Sequence, residues 1–145
     1  MRVAVLNGPN LNLLGIREPA VYGTASLADL EGDVRAAAAA LGVELSWMQT
    51  NHEGTLVEAV QALRGTADGA LVNPAGLTHT SVALRDAFLA VAVPFVEVHL
   101  SNIHAREEFR RRSLLADLAV GVVAGFGPVG YRFALEGLVA HLRGR

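Results

Sequence analysis

Short apolar runs that alternate with helical patterns constrain the fold of this chain more than any other feature. The runs cover residues 2–7, 43–48, 70–73, 94–99 and 118–124. They are short and mostly aliphatic, as expected for parallel strands that are covered on both faces. Turn-forming glycine, proline or asparagine residues bound several of them. The pattern therefore predicts five buried strands.

Helices are predicted between these strands. Ser26 can cap a helix that extends to Leu41, because Asp29 lies three residues further on, as in a capping box. Other helices are predicted around residues 56–63, from a cap at Thr80 or Ser81 to residue 91, and over residues 128–142. Five βα repeats in 145 residues predict an α/β fold: a flavodoxin-like, doubly wound, five-stranded parallel sheet in a single domain, residues 1–145.

The side-chain inventory excludes several kinds of chemistry. The chain has no cysteine, and all 12 of its Lys and Arg residues are arginine. Disulfides, thiolate nucleophiles, zinc fingers and lysine Schiff bases are therefore excluded. The net charge of −2 gives no reason to expect a nucleic-acid partner. The longest apolar stretch, residues 88–96, is interrupted by Pro94 and is about half a membrane span, so we expect a cytoplasmic protein without a membrane partner.

Polar side chains follow three of the predicted strands. They are Asn7 and Asn10 at and after the end of the first strand, Asn73, Thr78 and His79 at and after the end of the third, and Glu97, His99, Ser101 and His104 at and after the end of the fourth. In the flavodoxin-like order these three strands are neighbours, and ligands bind at the carboxyl ends of such strands. The sequence therefore predicts one crevice that gathers amides, hydroxyls and imidazoles.

A long segment, residues 11–24, follows the first strand. It contains Arg17 and Tyr22 among glycine and proline residues, and long connections of this kind are often lids over an active site. Alternatively, Tyr22 is a surface anchor.

The Gly125, Gly127 and Gly130 spacing matches a dinucleotide fingerprint, but it follows the last strand, so it favours a tight strand–helix turn.

Two other functions stay open on the residues alone. His79, Glu97, His99 and His104 allow a metal-dependent hydrolase or lyase. A non-catalytic flavodoxin-like binding module is the other alternative, although the acidic cluster and lysine of a receiver are missing. The arginine cluster (residues 106 and 110–112) favours a solvated face or a subunit contact, with one member able to reach a carboxylate.

The motifs together resemble the type II 3-dehydroquinate dehydratase family. They lie at residues 6–15, 17–19, 22–23, 73–74, 77–81, 83–87, 97–102, 104–107, 109–110, 125–127 and 130–131. The resemblance implies reversible dehydration of 3-dehydroquinate to 3-dehydroshikimate in the shikimate pathway, without a metal or other cofactor. It also implies a homododecamer, a tetramer of trimers.

The resemblance also assigns roles to residues. Tyr22 matches the general base, with Arg17 beside it to lower its pKa. His99 matches the general acid, oriented by Glu97, and Asn10 matches a residue near the water that stabilises the enolate. The residues that match substrate contacts are Asn73, His79, Arg110, the backbone N–H groups of Leu100 and Ser101, and Asp86 from a neighbouring subunit.

Overall fold

Five parallel strands form one sheet in the computed structural model, which describes residues 1–16, 20 and 24–144. The strands are β1 (Arg2–Asn7), β2 (Glu44–Gln49), β3 (Gly69–Asn73), β4 (Phe95–His99) and β5 (Gly121–Ala124). Their order is β2-β1-β3-β4-β5. This is the flavodoxin-like order, so the predicted α/β fold is confirmed.

Helices cover both faces of the sheet. They are α1 (Leu27–Ala40), α2 (Glu53–Ala62), α3 (Val82–Val91) and α4 (Val129–Arg143). Ser26 caps α1 in the predicted capping box, and of the two predicted caps for α3 it is Ser81 that accepts the N–H of Leu84. Both caps satisfy backbone donors that the first turn of a helix leaves unpaired.

Alternate residues of each central strand enter two different cores. Val3 and Val5 of β1 pack with α1 and α4, whereas Ala4 and Leu6 pack with α2 and α3. This division follows from the two-residue side-chain period of a strand. All of β3 and β4 is buried, while β2 and β5 at the edges are partly exposed.

The fifth strand is shorter than the sequence predicts. The prediction of a strand over residues 118–124 is wrong for residues 118–120, and β5 begins at Gly121. The N–H groups of Leu118 and Ala119 both donate to the carbonyl of Leu115, which makes a turn. The ladder starts only where the Val120 N–H donates to Phe95 O at 2.8 Å. A hydrophobic run does not distinguish such a turn from a strand.

The loops after β1 and β3 lie unusually close together. The N–H of Gly8 donates to Asn73 O at 2.8 Å, and a Cβ at Gly8 would lie 2.5 Å from Pro74 O. Only glycine permits this approach. Within the described residues, no helix is long and apolar enough to cross a bilayer.

Candidate active site

A cleft of about 140 Å³ opens at the carboxyl ends of β1, β3 and β4. The predicted site residues that line it are Asn10, Asn73, His79, His99, Leu100, Ser101 and Arg110. The strand order therefore brings together the three polar strand ends that the sequence singles out. Apolar side chains, among them Leu11, Leu14 and Ile103, form part of the wall. Leu11 and Leu14 are buried, which anchors the start of the segment after β1.

Glu97 and His99 form a buried pair beside the cleft. His99 Nε2 lies 2.6 Å from Glu97 Oε1, and the two side chains point to the same face of β4 because they are two residues apart. Glu97 is 0% exposed and His99 is 5% exposed. Since an ionised carboxylate can only accept hydrogen bonds, Nε2 is the donor. His99 Nδ1 is then the ring nitrogen left to exchange a proton in the cleft.

Two hydroxyl groups complete the surroundings of Glu97. Thr78 Oγ1 donates to Glu97 Oε1 at 2.8 Å, and Ser113 Oγ lies 2.9 and 2.8 Å from the two carboxylate oxygens. Burial by itself would raise the pKa of Glu97. The hydrogen bond and charge of His99, together with the Ser113 and Thr78 hydrogen bonds, outweigh burial and hold that pKa below its usual value. Glu97 is therefore a carboxylate at neutral pH.

The ring of His79 is held by a backbone carbonyl. His79 Nδ1 lies 2.7 Å from Arg112 O, which can only accept, so Nδ1 carries a proton. The other nitrogen, Nε2, remains for a ligand in the cleft. His79 belongs to a short 3₁₀ turn, Ala75–His79, that follows β3 directly. This turn carries the His79 and Thr78 side chains to the site.

Asn73 is fixed by a buried chain of amides around Tyr131. Asn73 Nδ2 donates to the Tyr131 hydroxyl at 2.8 Å, and that hydroxyl donates to Asn7 Oδ1 at 2.7 Å. Asn73 Oδ1 accepts the N–H of Ala75 at 3.1 Å, and Asn7 Nδ2 donates to Met48 O at 3.1 Å. Burial raises the pKa of Tyr131 well above its ordinary value, more than the bond from Asn73 lowers it. Tyr131 is therefore a neutral structural phenol.

Asn10 sits in the left-handed backbone region at the rim of the cleft, with φ of 69°. Its N–H donates to Asn51 Oδ1 at 2.9 Å, and Asn51 Oδ1 also accepts from Gln49 Nε2 at 3.0 Å. Asparagine tolerates this conformation better than most residues do. The end of β2 thus holds the Asn10 loop in place.

Backbone N–H and guanidinium groups are found among the residues that line the cleft. Leu100 and Ser101 follow β4, and no backbone hydrogen bond within the described ranges uses either N–H as a donor. Arg110 lines the same cleft while its Nε donates to Glu107 Oε2 at 2.6 Å. Arg106 also lines the cleft. Paired N–H groups and guanidinium groups are suited to a carboxylate ligand.

Other predicted residues lie elsewhere. Asp86 is exposed on α3 and is absent from the lining of its own chain's cleft. His104 is exposed and likewise lies away from the cleft lining. Arg17 and Tyr22 lie outside the described residues. Over residues 1–16, 20 and 24–144, no group of three His, Asp or Glu side chains is arranged to hold a metal ion.

Sequence reasoning gave no specific role to four residues that the structure brings into the site, although it placed Thr78 in the crevice and allowed one arginine of the cluster to reach a carboxylate. Thr78 and Ser113 contact Glu97, Tyr131 contacts Asn73, and Arg106 lines the cleft. Thr78 and Tyr131 lie inside the quoted motifs, and Arg106 belongs to the arginine cluster, so position alone could have suggested them. Ser113 had no such signal.

The chain is similar over nearly its full length to proteins of one family. The family model for class II dehydroquinases matches residues 1–139. A 3-dehydroquinate dehydratase from Gemmatimonas aurantiaca is 58% identical over 142 residues, covering 98% of this chain and 93% of that protein. A type II dehydroquinase structure from Butyrivibrio crossotus has a TM-score of 0.93 at 37% identity, covering 97% of each chain. One from Propionibacterium acnes has a TM-score of 0.92 at 37% identity, covering 96% of each.

Proposed function

The chain belongs to the class II dehydroquinase family, and on that premise we propose which residues carry its reaction. It is a lyase that converts 3-dehydroquinate to 3-dehydroshikimate in the shikimate pathway, which supplies aromatic amino acids. Loss of water from a β-hydroxy ketone needs a base beside the carbonyl, an acid at the leaving hydroxyl, and a donor for the enolate oxygen. Each of these groups has a candidate in the chain.

His99 is the general acid of the proposal, and its pairing with Glu97 is the observation that carries the assignment. An imidazole whose Nε2 is bound to a buried carboxylate presents Nδ1 to a ligand in a single orientation. A protonated Nδ1 can deliver its proton to the leaving hydroxyl, and the carboxylate stabilises the charged ring before that step. Glu97 is not among the described residues that line the cleft, so it acts as a positioning residue.

The substrate is a carboxylate with several hydroxyl groups, and the cleft offers matching partners. The N–H groups of Leu100 and Ser101 are assigned to the substrate carboxylate, which they reach from the end of β4. Asn73 and His79 Nε2 are assigned to its polar oxygens from the end of β3, and Arg110 to a hydroxyl. All five line one cleft, which supports the assignment.

The base and the enolate donor come from the segment after β1. Tyr22 is proposed as the base, with Arg17 stabilising its phenolate, because a tyrosine with a pKa near 10 is otherwise neutral at physiological pH. Both residues lie outside the described ranges, so these roles rest on the family motif alone. Asn10 at the rim is proposed to hold the water that donates to the enolate oxygen. The segment over residues 11–24 would then act as a lid, and residues 1–145 as one catalytic domain.

Each site is proposed to be completed by a second copy of the chain. Asp86 is exposed on α3 and does not line its own chain's cleft, which supports a role in the site of a neighbouring chain. The homododecamer of four trimers and a cytoplasmic location are part of the same proposal. Co-expressed Asp86→Ala and His99→Ala chains should form mixed oligomers that regain activity, because some sites then combine an intact Asp86 with an intact His99. No recovery in mixed oligomers would refute sharing of the site.

His99→Ala tests the acid directly. The variant should lose about 10²- to 10⁴-fold in kcat, the usual contribution of a general acid. The measurement is the rise in ultraviolet absorbance of the conjugated enone after 3-dehydroquinate is added. His104→Ala is the matched control, since His104 is exposed and away from the cleft lining. Equal losses in the two variants would contradict the role of His99, and a loss of wild-type activity in EDTA would favour the metal-dependent alternative.

A further inference from the structure

Three consecutive residues, 112–114, each bind a different part of the site. Arg112 O accepts the proton on His79 Nδ1 at 2.7 Å, Ser113 Oγ donates to Glu97, and the N–H of Leu114 donates to Thr78 O at 2.8 Å. These bonds link residues 112–114, at the end of the arginine cluster, to the turn after β3 and to β4. Ser113 makes its contact through its side chain, whereas the contacts of Arg112 and Leu114 are made by their backbone.

The surroundings of Ser113 determine where its proton goes. Its Oγ accepts the N–H groups of Leu115 and Ala116, each at 3.0 Å. With those acceptor positions occupied, the hydroxyl proton is directed at the Glu97 carboxylate, whose oxygens lie 2.8 and 2.9 Å away. Glu97 has no exposed surface, so its carboxylate depends on donors that the protein supplies.

We propose that Ser113 is a positioning residue of the dehydration, because it holds the Glu97 carboxylate in the place from which Glu97 orients His99. The inference rests on the proposed role of His99 as the acid. Without the Ser113 hydroxyl, the side-chain partners that remain to the carboxylate in the described part of the chain are Thr78 and His99. It can then rotate, and the ring of His99 with it, so proton delivery should suffer more than substrate binding.

The same contact is one of those that keep Glu97 ionised, after the larger effects of His99. Among the described residues, the titratable group that faces Glu97 is His99, on its own strand. The turn after β3 and the segment at residue 113 present the neutral hydroxyls of Thr78 and Ser113. Burial opposes ionisation, and these partners overcome it. Loss of the Ser113 donor should therefore raise the pKa of Glu97, and we expect activity to fail at a higher pH on the acidic side.

Three variants separate this role from a local structural one. Ser113→Ala removes the donor, Ser113→Thr keeps a hydroxyl, and Ser113→Asp keeps an acceptor for the two backbone N–H groups but places a second carboxylate against Glu97. The alanine variant should lose about 10- to 100-fold in kcat with KM changed less than threefold, in the range of one hydrogen bond to a charged group. Its acidic limb of kcat/KM should move to higher pH. The threonine variant should recover most of the activity, and the aspartate variant should lose at least as much as alanine.

If Ser113 served only to accept the N–H groups of Leu115 and Ala116, the three variants would rank in the opposite order of activity. Ser113→Asp would then have the activity of the wild type. Ser113→Ala would unfold more easily but would show normal kcat and an unchanged acidic limb of kcat/KM. Either result overturns the proposal. Wild type and His99→Ala are assayed in parallel, so a failure of the acid assignment is distinguishable from a failure at Ser113.

A second readout does not depend on activity. The pKa of Glu97 is lower in the folded chain than in the unfolded chain. Its ionised form therefore contributes stability at pH values above the unfolded pKa, and this contribution is lost as pH falls through the folded pKa. Ser113→Ala should therefore lower the melting temperature more at neutral pH than in acid. An equal loss at both pH values would overturn the proposal.

Discussion

Replacing Tyr131 with phenylalanine tests how the fold holds the substrate-binding end of β3. Tyr131 on α4 is fully buried, and its hydroxyl joins Asn73 Nδ2 at 2.8 Å to Asn7 Oδ1 at 2.7 Å. Phenylalanine keeps the ring, including its contact with Trp47 at a centroid separation of 6.1 Å. The substitution therefore removes two hydrogen bonds and little packing.

The cost follows from the groups that lose their partner. One donor on Asn73 and one acceptor on Asn7 are left unpaired in the core, and each such group costs about 1–3 kcal/mol. Asn7 and Asn73 are paired in the β1–β3 register, so partial contact between their amides recovers some of this. We expect a net loss of about 2–4 kcal/mol. For a chain of this size that corresponds to a fall of about 4–16 °C in melting temperature.

The pH dependence of the free energy of unfolding shows whether the buried Tyr131 hydroxyl is responsible for the difference between wild type and variant. Because burial raises the pKa of Tyr131, its neutral form stabilises the fold fully below the unfolded pKa near 10, and this contribution is lost as pH rises towards the folded pKa. Wild type should therefore lose about 1.4 kcal/mol per pH unit above pH ~10 from this group, and the variant should not. The stability gap between the two should narrow in alkali.

We compare the two proteins by calorimetry or thermal circular dichroism, at neutral pH and above pH ~10. Their concentrations are kept equal because assembly makes the melting temperature depend on concentration. KM for 3-dehydroquinate should rise in the variant, because Asn73 loses the partner that orients its amide. A melting temperature within about 2 °C of wild type at neutral pH, or a gap that stays constant in alkali, would refute the reasoning.

Three further substitutions separate other features of the fold. Gly8→Ala should lower kcat/KM at least tenfold and cost about 1–3 kcal/mol, because the new Cβ would lie 2.5 Å from Pro74 O and force the two loops apart; normal kinetics would contradict this. Asn10→Gly should leave the melting temperature equal or higher, since glycine accepts a φ of 69°, while kcat falls with loss of the rim amide; a parallel fall in both would argue against it. Ser26→Ala should lower stability by about 1 kcal/mol in denaturant unfolding, with Ser26→Asp as the matched control and activity unchanged.

Local patterns account for what the sequence predicted correctly. The capping box at Ser26 and the cap at Ser81 depend on residues within three positions, so they are visible without a fold. The apolar runs give strand positions, and the strand order of a doubly wound sheet then brings the ends of β1, β3 and β4 together. His99, Asn73 and His79 line one cleft for that reason.

Contacts between distant segments follow from the tertiary structure and are not predicted by the sequence alone. Tyr131 reaches Asn7 across 124 positions, and Ser113 reaches Glu97 across 16, and no periodicity records either pairing. Likewise, the sequence shows an arginine cluster, but only the packing of the chain turns Arg106 and Arg110 into the cleft. A burial pattern fixes which face of an element meets the core. The register of the strands and the packing of α4 and of residues 112–114 over the sheet determine which polar groups meet in the core. Each buried donor or acceptor then needs a partner among those groups.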